Sequence, residues 1–221
     1  MKTVEKIDLN KEYSAKIEQL FVVKEESTTK KLPDYKKFGF TKEDIPELLK
    51  LALDYSYYEM EDEKEAENFY SATIYAMEIL GKLKAVEAIN PFIKKVSSDR
   101  GNEYFTEAIP SFFANIGAEA VEPLIEYITD REDVHLILFE VFEHIVKKNP
   151  KTEDRVASFL AEYITDERHT NPLYLAFAIT SLVEINGIKY INAIREAFNI
   201  KEIDCTMVGD FESIEKYLGL K

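Results

Sequence analysis

Three histidines, one cysteine and a run of acids are the side chains of this chain whose types could ligate a metal, attack an electrophile or move a proton. The histidines are His135, His144 and His169. None sits in the HExxH or CxxC spacing that aims several ligands at one ion. His135 and His144 are nine residues apart, about two and a half turns, so they are expected to share a helix but not a coordination sphere. His144 follows Glu140 by four and reads as half of a surface pair. Cys205 would need a base to become a thiolate, and His169, the nearest histidine in sequence, falls on a different element. A small apolar residue, buried or half-buried in a C-terminal cap, is the expectation for it. The run Glu59, Glu61, Asp62, Glu63, Glu65 and Glu67 lacks the central glycine and alternating ligands of an EF-hand loop. Neither a G-x-S-x-G elbow nor a phosphate-binding G-x-x-x-x-G-K-[ST] loop occurs. No catalytic residue, metal or cofactor is expected, and the chain reads as a non-enzyme.

The elements that would position any site announce themselves by repetition. The string EYITD occurs at Glu126 and again at Glu162, an offset of 36 that suits stacked helix pairs. The helix carrying the first copy has Val121, Leu124, Ile125 and Ile128 in i, i+3, i+4, i+7 order, one apolar stripe. The stripe recurs as Ile45, Leu48, Leu49, Ala52; as Ile89, Phe92, Ile93, Val96; as Ala157, Leu160, Ala161, Ile164; and as Ile191, Ile194, Phe198. Successive first residues are 44, 32, 36 and 34 apart. Partner stripes alternate with these: Phe69 to Leu83, Phe105 to Ile116, Leu138 to Ile145 and Leu175 to Leu182. Gly81, Gly117, the Asn149-Pro150 step and Gly187 are expected to break the chain between partners. One pair of helices of about 13 residues, roughly 20 Å long, cannot cover its own apolar face. Each pair must therefore stack on the next.

The bulk numbers agree with helices. Of 221 residues, 46% are hydrophobic and 32% charged, enough for a sizeable core, and seven glycines and seven prolines are too few for an all-β chain. No apolar run approaches the ~20 residues of a bilayer span, and the opening MKTVEKIDLNKEY does not resemble a signal peptide. A cytoplasmic protein without a membrane partner is expected, and a single cysteine fits a reducing compartment. The formal charge of −14 opposes phosphate backbones, so nucleic acid is not an expected partner.

Three regions follow. Residues 1–32 read as a helical or partly mobile extension in which NKEYSAKIEQLFVV could form one helix. Residues 33–198 read as the repeat array, its first helix capped by Thr41 after the loop KLPDYKKFG. Residues 199–221 read as a cap, with Gly209 and Asp210 opening a short helix that bears Phe211, Ile214 and Leu218. The acidic stretch Tyr57 to Asn68 reads as a linker or first-turn extension.

The strings LGKLKAVEAINPFI and IGAEAVEPLIEYI resemble HEAT-like repeats of the phycobilisome-lyase type, and Pro110 stands where many HEAT repeats carry a proline kink. The order GFTKEDIPELLKLALD, AMEILGKLKAVEAI, AIPSFFANIGAEAVEPL and IREAF…DCTMVGDFE is similar to a group of bacterial HEAT-like proteins, some of which end in a zinc-binding SEC-C motif. The likeness spans about residues 33 to 214 and implies an all-α superhelix of four to five hairpins. No biochemical activity comes with it. The chain has no C-x-C and no trailing His-Cys pair, so the zinc motif does not carry over.

Equivalent positions of stacked repeats form ladders. The fifth position after each stripe's first residue holds Lys50, Lys94, Glu126, Glu162 and Glu196, and the next holds Leu51, Lys95, Tyr127, Tyr163 and Ala197. The resemblance places such helices on the concave side, which makes a groove that is basic in front and acidic with two aromatic steps behind. Lys94, Glu126, Tyr127, Glu162 and Tyr163 are the expected contacts for another protein or peptide. The alternatives are an enzyme or ligand-binding protein on the same scaffold, bilin-lyase-like or glycosylase-like, and an acidic mimic of nucleic acid. A glycosylase groove would be basic, against the charge of this chain.

Overall fold

A computed structural model describes residues 13–22, 38–98, 103–129, 131 and 133–221, with the side chains of 103–107 excepted. The expected KLPDYKKFG loop up to residue 37, most of the 1–32 extension and the stripe position Phe105 lie outside these. Every regular element among the described residues is helical. The contacts divide the chain into two units, Met1–Ala88 and Ile89–Lys221.

The first unit holds α1 (Ala15–Glu18), α2 (Ile45–Ala52) and α3 (Glu63–Lys82). The single helix expected over NKEYSAKIEQLFVV is shorter: α1 passes directly into a 3₁₀ turn, Gln19–Val22. Ser14 caps α1, and its N–H and hydroxyl both donate to the Glu47 carboxylate, at 2.6 and 2.7 Å. Thr41 caps the 3₁₀ turn Lys42–Asp44 that leads into α2. Asp44 answers by accepting from the Thr41 N–H, which completes a capping box. The acidic stretch does open a helix: Asp62 caps α3 by accepting from the Glu65 N–H at 2.8 Å. Gly81, expected as a turn, is buried inside α3. The helix ends instead on a Schellman motif. Ala85 N–H reaches Leu80 C=O and Lys84 N–H reaches Gly81 C=O, with Lys84 at φ 59°.

The second unit contains α4 (Ile89–Ser98), α5 (Glu103–Ile116), α6 (Val121–Thr129), α7 (Ile137–Lys148), α8 (Glu153–Thr165), α9 (Pro172–Asn186), α10 (Ile191–Ile200), α11 (Cys205–Val208) and α12 (Phe211–Tyr217). The even helices α4, α6, α8 and α10 contact one another in succession, as do the odd helices α5, α7 and α9, and α4 packs on α5, α6 on α7, α8 on α9. The apolar stripes explain this arrangement. All four residues of the α4, α6 and α8 stripes are buried, and so are Leu138, Val141, Phe142 and Ile145 of α7 and Leu175, Ala178, Ile179 and Leu182 of α9. Phe92 meets Phe112 edge to face at 4.6 Å, an orientation the ring quadrupoles favour.

Side-chain hydrogen bonds also join these helices. Glu122 and Arg155, Ser158 and Tyr190, Glu153 and Asn186, and Glu184 and Tyr217 are joined over 33, 32, 33 and 33 residues. Each of these bonds joins a helix to one further along the chain.

The breaker positions divide. Gly117 adopts φ 91°, where a side chain is strained, and an added Cβ would stand 2.8 Å from the Asn149 amide oxygen. Asn149 uses its Nδ2 to donate to both Ala114 and Ile145 carbonyls, satisfying the ends of α5 and α7 together. Gly187 has an ordinary right-handed φ of −58°, so the left-handed stop expected there is absent. It serves close approach instead, since a Cβ would come within 3.1 Å of Leu218. Pro110 lies within α5 and is buried. At the end of the chain Asp210 caps α12, whose Ile214 is buried, and α12 packs on α10.

Candidate protein-docking surface

The even helices carry the fifth-position row, and the helical period fixes where it points. With the stripe facing the core, position five lies about 150° from the stripe's centre and position six about 110°, on its flank. Lys94, Glu126, Glu162 and Glu196 are accordingly exposed on four helices that contact one another in order. Lys50, the corresponding residue of α2, is also exposed, with its ammonium 4.6 Å from the Tyr13 ring.

The flanking row behaves differently. Lys95, Tyr163 and Ala197 are buried, and Leu51 in the first unit is buried as well. Only Tyr127 stays half-exposed, and the Arg131 guanidinium lies 4.2 Å over its ring, an i, i+4 cation–π contact that a row of equivalent positions does not reveal.

Tyr163 is therefore an interior residue, 3% exposed, and not an aromatic step on the surface. Its ring meets Phe139 edge-on at 5.3 Å and stacks on His169 at 3.8 Å and 18°. Burial, followed by the nearby Tyr174, pushes its phenol well above the usual tyrosine range. His169 is pushed down, first by burial; the Asp166 carboxylate opposes this and the Arg168 and Lys201 charges add to it. The imidazole thus stacks as a neutral ring near neutral pH. The Lys201 ammonium donates to the Asp166 and His169 carbonyls, which holds the loop after α8 against the foot of α10.

The other candidates are scattered. His135 precedes α7 and does not share a helix with His144; its Nδ1 accepts from the Ile137 N–H at 3.3 Å. His144 Nε2 is 3.6 Å from Glu140 Oε1, the i, i+4 neighbour expected. Cys205 is exposed at the first position of α11, against the expectation of burial, because α11 is a single turn with no buried residue. Among the described residues no group of three or more His, Cys, Asp or Glu is arranged to hold a metal ion, and no helix is long and apolar enough to cross a membrane.

The class these features define is an all-helical protein whose second unit carries a charged row along successive helices. Comparison of the chain with family models, curated proteins and solved structures finds no match.

Proposed function

We propose that this chain is a HEAT-like α-solenoid with a non-enzymatic, scaffolding role in the cytoplasm, binding another protein along the row Lys94, Glu126, Tyr127 and Glu162. One observation carries the reading: the same helical position is exposed on α4, α6, α8 and α10, each of which contacts the next, and three of the four residues there are glutamates. A ladder of like charges about one repeat apart costs self-repulsion and does nothing for the core beneath it. Its use is to meet opposite charge on an elongated partner, a basic strand or the basic face of a helix. Tyr127 supplies the aromatic surface that anchors such contacts, while Tyr163 supports the row from inside. Stacked pairs are supported by the separate succession of odd and even helices and by hydrogen bonds between residues 32 or 33 apart.

The test is affinity capture from the native cell with the wild-type chain and with two variants, Glu126→Lys/Glu162→Lys and Tyr127→Ala, each shown to be folded by its circular dichroism melt. The reading requires at least one partner that both variants lose. Retention of every partner by the folded variants ends it.

A further inference from the structure

The first unit has a second recognition feature, built by a buried carboxylate. Asp54 is 2% exposed, and its Oδ1 accepts from the Ser56 N–H and hydroxyl at 3.0 and 2.5 Å while its Oδ2 accepts from Tyr13 at 2.6 Å. This fixes the start of the 3₁₀ turn Ser56–Glu59 and so the directions of Tyr57 and Tyr58. The rings of Tyr57 and Tyr58 lie 4.4 Å apart, Tyr55 stacks on Tyr58 at 6.1 Å and 24°, and Tyr70 from α3 meets Tyr57 edge-on at 5.4 Å. Tyr55, Tyr57 and Tyr70 are half-buried, whereas Tyr58 is 61% exposed. Single exposed aromatics are ordinary; an exposed ring joined to three half-buried ones in a chain of ring contacts is not.

The stretch of sequence that carries the cluster is mostly acidic. Between residues 55 and 70 stand six acids, Glu59, Glu61, Asp62, Glu63, Glu65 and Glu67, against one base, Lys64. Ring faces and carboxylates both attract cations, and a planar guanidinium can stack on one while hydrogen bonding to the other. The protein already uses this contact internally, with Arg131 over Tyr127 at 4.2 Å and Arg195 over Phe211 at 5.2 Å.

We propose that the tyrosine cluster around Tyr58 receives the guanidinium of an arginine-bearing peptide. The site is independent of the glutamate row in the second unit. Tyr58 supplies the stacking face, the rings of Tyr55 and Tyr57 hold it in place, and the acids that follow attract the remaining positive charge of the peptide.

The test is fluorescence anisotropy with a labelled arginine–glycine repeat peptide at ~150 mM salt, which screens long-range attraction. Tyr58→Leu keeps the charge and apolar size but removes the π face, and it should weaken binding about fivefold, as expected for an exposed cation–π contact. Tyr58→Phe should stay within about twofold of wild type. A lysine–glycine peptide of equal charge should bind more weakly than the arginine peptide. Glu126→Lys/Glu162→Lys should weaken the arginine and lysine peptides alike, whereas Tyr58→Leu should weaken the arginine peptide alone, which separates this site from the row. Wild-type affinity in Tyr58→Leu, equal binding of the lysine peptide, or loss of binding only in the Glu126→Lys/Glu162→Lys variant would overturn the proposal. Displacement of the arginine peptide by tetramethylammonium as readily as by N-acetylarginine amide would also overturn it, since the cluster would then be a cage for small quaternary cations.

Discussion

Arg155 on α8 holds Glu122 on α6 through two parallel hydrogen bonds, Nε to Oε1 at 2.7 Å and Nη2 to Oε2 at 2.8 Å. The pair joins equivalent turns of neighbouring helices. The Arg155 hydrogen bond holds the Glu122 carboxyl below the usual carboxylate range, with slight burial opposing it. Both side chains are about half exposed, at 46% and 56%, so solvent screens most of the attraction. A double-mutant cycle with Arg155→Ala and Glu122→Ala should give a coupling of no more than about 1 kcal/mol at pH 7. Because the folded pKa is depressed, the contribution is present above the unfolded value of 4.5 and is lost as pH falls through the folded one. The same cycle repeated at decreasing pH should show a coupling that shrinks below pH 4.5.

Leu124 and Glu126 are two residues apart on α6, yet one is fully buried and the other exposed. Leu124→Asp places a charge among Val121, Ile125 and Ile128 and should cost at least ~3 kcal/mol, seen as a large fall in the urea midpoint. Glu126→Lys should change stability by no more than about 0.5 kcal/mol. Equal and small effects would show that the stripe is assigned to the wrong face.

That contrast marks what could be read without coordinates. Stripes of four apolar residues at helical spacing identify a face by themselves, and Ile89, Phe92, Ile93 and Val96 are buried as their order requires. Position five could be placed for the same reason, being almost opposite the stripe. Position six could not, because a flank is covered or open according to its neighbours, and Tyr163 is met by Phe139 of α7 and by His169 of the loop after α8. Cys205 is exposed for a related reason: a residue's hydrophobicity does not reveal that its helix is one turn long. The Tyr55 to Tyr70 cluster is not legible in the sequence because its signal is spatial, created by the Asp54 turn folding onto α3, whereas in sequence the acids dominate.

The ends of α3 and α12 share a motif but not a residue. After α12, Leu220 N–H reaches Glu215 C=O and Gly219 N–H reaches Lys216 C=O, with Gly219 at φ 70°; after α3 the equivalent position is Lys84 at φ 59°. A side chain in the left-handed region costs about 1 kcal/mol that glycine does not incur. Part of that gain is offset by the greater freedom of glycine in the unfolded chain. Lys84→Gly should therefore stabilise the first unit by about 0.5 kcal/mol, read from chemical denaturation. Gly219→Ala should do the reverse at the other end. A loss of stability in Lys84→Gly would mean that the lysine side chain itself contributes more than its backbone strain costs.

Glu143 on α7 is a half-buried carboxylate that accepts from the Ser181 hydroxyl of α9 at 2.6 Å. Burial pushes its pKa upward, the Ser181 bond opposes this, Glu140 and Glu184 add to the rise, and His144 opposes it. A carboxyl with a raised folded pKa contributes stability below its unfolded value of 4.5, and the contribution is lost as pH climbs through the folded one. Its charge is therefore a cost at neutral pH. Glu143→Gln keeps an oxygen for Ser181 and removes the charge, so it should raise the melting temperature by about 2 °C at pH 7. Near pH 4 it should match wild type. The pH dependence separates this cause from simple packing: an improvement that is constant from pH 4 to pH 7 would come from the shape of the glutamine, and a lower melting temperature at pH 7 would mean that the fold uses the Glu143 charge.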